Sequence, residues 1–115
     1  MTKSNSQEEV RLRVMRVLQE QPSISQRGLA EALGVSLGSV NYCIKALAEK
    51  GLVKVELFRA SEKKLSYAYT LTPSGLLEKT RLTKRFLKRK LREYEALKSE
   101  IDGLQVEVND SRSAH

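Results

Sequence analysis

Residues 25–53 read Ser25-Gln-Arg-Gly-Leu-Ala-Glu-Ala-Leu-Gly-Val-Ser-Leu-Gly-Ser-Val-Asn-Tyr-Cys-Ile-Lys-Ala-Leu-Ala-Glu-Lys-Gly-Leu-Val53. Ser25 is placed to cap a helix, Leu29, Ala30 and Leu33 form one apolar face, and Gly34 offers a left-handed stop. Ser36 caps again, and Val40, Cys43, Ile44 and Leu47 recur at i, i+3, i+4 and i+7 until Gly51 ends the run. The spacing predicts helices over 26–33 and 37–50 joined by a short link. With those four residues turned to a core, Gly38, Ser39, Asn41, Tyr42 and Lys45 face away, and Ser36 and Leu37 sit at the amino end.

Upstream, Ser6-Gln-Glu-Glu9 has the spacing of a capping box. Val10, Val14, Val17 and Leu18 then follow at helical period, with Leu12 and Met15 widening the face. Gln21-Pro22 disfavours helix beyond that point, so a helix is expected over about 7–20. Downstream, Val53, Val55 and Leu57 alternate, Arg59-Ala-Ser-Glu-Lys-Lys64 is turn-like, and Leu65, Tyr67, Tyr69 and Leu71 alternate again. These residues predict a hairpin. Thr72-Pro73 reads as an N-cap followed by proline at the first helical position, opening a long helix over 73–108. The expected fold class is mainly α with a small β-hairpin (α+β), with a disordered 1–6, a domain over 7–72, the long helix, and a disordered 109–115.

Helix, short turn, outward-facing helix and hairpin follow one another in the order of a winged helix-turn-helix. The residues of 25–53 resemble the helix-turn-helix of MarR-type regulators: Ala30 in the second helix, Gly34 at the turn, the Ser36 cap, Val40-x-x-x-Ile44-x-x-Leu47, then Lys50-Gly-Leu-Val53 into the wing. Tyr69-Thr-Leu-Thr-Pro-Ser-Gly75 is similar to the Leu-Thr-Pro-x-Gly that follows the wing in that family. Arg81-Leu-Thr-Lys-Arg-Phe-Leu-Lys-Arg-Lys-Leu-Arg-Glu-Tyr-Glu-Ala-Leu97 resembles the MarR-type regulators associated with exopolysaccharide (EPS) gene clusters. The resemblance covers residues 10–104 and implies a bacterial, cytoplasmic, dimeric regulator of transcription acting near exopolysaccharide genes. Two departures accompany it. Asn41-Tyr42 stands where such sequences often carry Ser-Arg, and no counterpart of the family's additional dimerisation helix is expected in these residues, so a small-molecule effector is left unknown.

The outer face of the 37–50 helix suits a DNA groove on its own chemistry. Small groups allow close approach, Asn41 can bond an adenine edge bidentately, and Tyr42 and Lys45 can reach phosphates or bases. The same residues could also be merely solvated. Arg59, Lys63 and Lys64 on the hairpin tip suit the minor groove or phosphates, opposed only by Glu62. Gln26 and Arg27, at the start of the 26–33 helix, are weaker phosphate candidates.

Charge divides the chain into unlike zones. Of 115 residues, 21 are Lys or Arg and 14 Asp or Glu, a net charge of +7. Residues 1–77 carry +4, residues 79–92 carry eight basic and no acidic side chains, and residues 93–115 carry −4, with Glu78 between the first two. The eight in the middle zone surround their helix; they could face DNA, be solvated, or pair with the acidic segment of a partner. Leu87, Tyr94, Ile101 and Val108 with Thr83, Leu97 and Leu104 follow a 3,4 repeat, broken at Lys90, where neighbouring Leu91 is apolar. A helix of such length, about 54 Å for 36 residues, reaches far past a small domain, so homodimerisation through this stripe is expected, parallel or antiparallel.

Enzyme chemistry is not expected. The one histidine, His115, is the last residue and the one cysteine is Cys43, so a His-activated nucleophile or a zinc site lacks its parts. No cofactor and no membrane span are expected, and Cys43 has the phase of a core residue. Two functions remain. One is a sequence-specific regulator binding a pseudo-palindromic double-stranded DNA as a homodimer; the other is a winged-helix adaptor for proteins, using its coiled coil. The small polar face of 37–50 favours DNA.

Overall fold

The computed structural model describes residues 2–113, apart from the side chains of 2–5, 60 and 113. Its elements are α1 (Thr2–Glu20), α2 (Gln26–Leu33), α3 (Leu37–Glu49), β1 (Val53–Ser61), β2 (Lys64–Leu71) and α4 (Pro73–Ser113). The chain divides into two compact units, the first ending at Thr83 and the second beginning at Lys84.

Caps and glycines fix the element ends. The Gly28 amide donates to Ser25 Oγ at 2.9 Å and the Ser39 amide to Ser36 Oγ at 3.0 Å, each satisfying an amide that the helix itself leaves open. Gly34 (φ 67°) closes α2, and Gly51 (φ 72°) turns the chain from α3 into β1. Both positions need the left-handed backbone that glycine adopts without a side-chain penalty.

Two helix ends differ from expectation. α1 extends back to Thr2, with Ser6 and Glu9 inside it, because Thr2-Lys-Ser-Asn5 contains neither proline nor glycine to stop propagation. The same holds at the other end, where α4 continues to Ser113 instead of stopping at 108. The expected disorder at 1–6 and 109–115 is thus replaced by helix over 2–6 and 109–113; Met1, Ala114 and His115 lie outside the described residues.

The first unit buries Leu12, Val14, Met15 and Leu18 of α1, Leu29, Ala30 and Leu33 of α2, and Val40, Ile44 and Leu47 of α3. Val53, Tyr69 and Leu82 complete this core. Val10 and Val17, expected on the inner face, are only half-buried, so the face of α1 is centred on the Leu12–Leu18 side. Arg13 Nη2 donates to the Leu33 carbonyl at 3.2 Å, and the Tyr69 amide to the Pro22 carbonyl at 2.9 Å, joining α1 to the end of α2 and the hairpin to the α1–α2 link.

β1 and β2 pair antiparallel, Val53 opposite Leu71, Val55 opposite Tyr69 and Leu57 opposite Tyr67, with a bulge between Arg59 and Ser61. The strands run further than the expected turn allows. Arg59 and Ser61 lie in β1 and Lys64 opens β2, leaving Glu62 and Lys63 to make the tip.

The hairpin ends where α4 begins, and the junction is tight. The Thr72 amide donates to the Leu52 carbonyl at 3.0 Å. Thr72 Oγ1 donates to the Gly51 carbonyl at 2.7 Å and accepts from the Gly75 amide at 3.0 Å. A Cβ on Gly75 would lie 2.0 Å from the Leu52 carbonyl oxygen, whereas one on Gly103 would meet nothing within 4 Å. The two glycines therefore respond oppositely to alanine. Gly75→Ala should lower stability by about 3 kcal/mol through overpacking, and Gly103→Ala should raise it by up to about 1 kcal/mol through helix propensity, both read from urea-unfolding midpoints.

Candidate nucleic-acid interface

Burial of Val40, Ile44 and Leu47 decides what α3 shows to solvent. Leu37, Gly38, Ser39, Asn41, Tyr42 and Lys45 are all exposed, Tyr42 at 77%. No acidic side chain occurs from Leu37 to Lys45. Ser36 Oγ, which accepts from the Ser39 amide, also donates to Ser39 Oγ at 2.9 Å, so the two hydroxyls and that amide hold one another at the amino end. Amides there favour an anionic oxygen.

Further exposed cations of the first unit lie on α2 and the hairpin. Arg27 is exposed on α2, and Arg59, Lys63 and Lys64 are exposed on the hairpin. Arg59 Nη1 donates to the Glu62 carbonyl at 3.4 Å, which folds that guanidinium over the tip. Gln26 has a different setting from the one expected of a phosphate contact. Half-buried, it donates through Nε2 to Tyr69 Oη at 3.2 Å and accepts through Oε1 from Asn41 Nδ2 at 3.1 Å. Tyr69 itself is 5% exposed and stacks on Tyr67, with ring centroids 6.3 Å apart. Sequence reasoning did not find Tyr69 as a member of this site. Its alternation with Tyr67 and Leu71 signals a strand facing the core, and nothing in that pattern reports a contact 43 residues away.

Cys43 departs from its expected burial. It is half-buried and lines an open groove of about 950 Å³ with Val10, Arg11, Tyr42 and Ala46, between α1 and α3. The i+3 position of the α3 stripe lies at its margin, where α1 covers it incompletely. Burial nonetheless pushes its thiol above the ordinary value of 9.0, with the Arg11 charge pulling the other way. On α4, Glu78 is held below its ordinary value of 4.5, first by the hydrogen bonds it accepts from Arg81 at 2.6 and 2.9 Å. Arg11 stands 3.8 Å from the same carboxylate.

The second unit consists of the α4 segment from Lys84 onward. Leu87, Leu91, Tyr94, Leu97, Ile101, Leu104 and Val108 are each between 45% and 58% exposed. Arg89 and Lys90 stand over the Phe86 ring at 5.5 and 5.2 Å from its centroid, and Lys90 Nζ is 3.1 Å from Glu93 Oε2. Some of the basic run is thereby engaged within its own helix.

Residues 7–54 match the family model described as winged helix-turn-helix DNA-binding. The fold is a winged helix-turn-helix. Solved structures agree with this: a MarR/EmrR family transcriptional regulator from Acinetobacter sp. ADP1 is 25% identical, with a TM-score of 0.60 over 90% of this chain and 72% of that one. FabT of Streptococcus pneumoniae, solved in complex with DNA, is 21% identical, with a TM-score of 0.54 over 91% of this chain and 76% of FabT. The PcaV transcriptional regulator of Streptomyces coelicolor, in complex with its natural ligand, is 22% identical with a TM-score of 0.59. That comparison covers 68% of this chain and 54% of PcaV, so the chain spans about half the length of that relative. No curated protein matches the sequence. Among the described residues, no helix is long and apolar enough to cross a membrane.

In the winged domain, α3 is the second helix of the helix-turn-helix, β1 and β2 form the wing hairpin, and Cys43 lies on α3 at the margin of the core. Its thiol should react with a thiol-specific reagent more slowly in the folded protein than in urea. The pH midpoint of that reaction should lie above 9.0, because burial disfavours the thiolate that attacks.

Proposed function

We propose that this chain is a sequence-specific, double-stranded DNA-binding transcriptional regulator that acts as a homodimer. The observation that carries the reading is the acid-free outer face of α3, with small residues at its amino end, Asn41, Tyr42 and Lys45 beyond them, and a cationic wing on the same unit. α3 enters the major groove, where Asn41 meets base edges and Tyr42 and Lys45 meet bases or phosphates. Arg59, Lys63 and Lys64 lie on the minor groove or the phosphates, and Arg27 on the backbone. The DNA complex of FabT, whose fold this chain shares, supports the same use of the fold. By the resemblance at 81–97, the controlled genes are those of exopolysaccharide synthesis, in a bacterial cytoplasm.

Dimerisation runs through Leu87, Leu91, Tyr94, Leu97, Ile101, Leu104 and Val108. Seven large apolar side chains on one helix, each about half exposed, form a surface that water disfavours and a second copy can cover. Two recognition helices then read two half-sites about 10 bp, or a multiple of that, apart on a pseudo-palindrome.

Selection of bound sites from random DNA should return a motif with two-fold symmetry. Recovery of no preferred sequence would overturn the reading. Affinity for the selected site should fall steeply with salt, and Lys63→Ala and Lys64→Ala should each reduce the log-log slope by about one if each lysine contacts a phosphate. Ile101→Asp should convert the protein to a monomer in sedimentation equilibrium and leave the near-ultraviolet signature of the winged unit in place. A dimer that persists in this variant would show that copies associate elsewhere.

A further inference from the structure

Asn41 does not stand alone on the recognition face. Its Nδ2 donates to Gln26 Oε1 at 3.1 Å, and Gln26 Nε2 donates to Tyr69 Oη at 3.2 Å. Tyr69 is buried in the core, and its backbone amide is bonded to the Pro22 carbonyl at 2.9 Å. The three side chains thus run from a fixed point in the wing, through the first residue of α2, to the exposed face of α3. An asparagine amide carries two hydrogens on nitrogen and an acceptor on oxygen. Adenine in the major groove asks for one donor to its N7 and one acceptor for its N6 amino group. Donation of one hydrogen to Gln26 leaves the second hydrogen and Oδ1, the pair that adenine requires. It also opposes rotation of the Asn41 amide alone, which would set Oδ1 against Gln26 Oε1, two acceptors with no hydrogen between them.

We propose that Gln26 is a positioning residue for base selection, holding the Asn41 amide in the orientation that selects adenine, with Tyr69 holding Gln26 in turn. The proposal rests on the DNA-binding reading above. It assigns Gln26 a part in specificity and removes it from the phosphate contacts.

Site selection and competition binding with wild type, Asn41→Ala, Gln26→Leu and Gln26→Glu separate the cases. Wild type should prefer adenine by about ten-fold or more at one position of each half-site, and Asn41→Ala should lose that preference at that position alone. Gln26→Leu should lower the same preference at least about five-fold, with affinity for non-specific DNA and the salt slope unchanged. Gln26→Glu keeps an acceptor for Asn41 Nδ2, so it should retain the preference even as its charge weakens binding to every sequence. Equal weakening of Gln26→Leu on all sequences, or adenine preference intact in that variant, would overturn the proposal while leaving the DNA-binding reading standing. Failure of wild type to select any motif would overturn both.

Discussion

Three buried side chains, Val40, Ile44 and Leu47, set the orientation of α3, and most of what the molecule offers a partner depends on that orientation. A helix repeats every 3.6 residues, so fixing these three against α1, α2 and the hairpin leaves Asn41, Tyr42 and Lys45 no direction but outward. Each of the three rests in a close-packed interior with Leu12, Met15, Leu29 and Leu82, where a rotation of α3 would open voids on one side and overlaps on the other. The polar face is therefore rigid because its apolar back is full.

The wing depends on a second constraint, the meeting of the Gly51-Leu52 backbone with Thr72 and Gly75. Thr72 serves both sides of that junction: its hydroxyl caps α4 and reaches back to the Gly51 carbonyl, while its amide closes on Leu52. Both strands thus begin and end at one clamped point, and the wing projects from it as a lever. Tyr69, buried near that base, then couples the hairpin to Gln26 and through it to α3. α3 and the hairpin are connected by polar contacts as well as by the core beneath.

Local signals carried most of this architecture. Ser25, Gly34, Ser36, Gly51 and Thr72 are short-range punctuation, and a cap or a left-handed glycine acts on neighbours within a turn, so the α2 and α3 boundaries were legible from the residues. The outer face of α3 followed from the period of its apolar positions. Helix ends without punctuation were not legible: nothing stops α1 short of Thr2 or α4 at Val108. Cys43 had the phase of the core but stands at its margin, because periodicity gives direction along one helix and not how far a neighbour covers it. The Asn41–Gln26–Tyr69 contacts were out of reach for the same reason, being made between elements whose approach no local pattern encodes.

The hairpin has a consequence of another kind. A two-stranded sheet consists only of edges, and the face of this one carries Val55, Leu57, Leu65 and Tyr67, all exposed. Such a ribbon is a template on which further strands could add. Lys54 and Glu56 alternate with those side chains along β1, Arg59 and Lys64 flank the tip, and the bulge between Arg59 and Ser61 breaks the flat run of backbone donors and acceptors. Charge and irregularity so placed oppose stacking of one hairpin on another, and the residues that would grip a nucleic acid also keep the free protein from assembling into sheets.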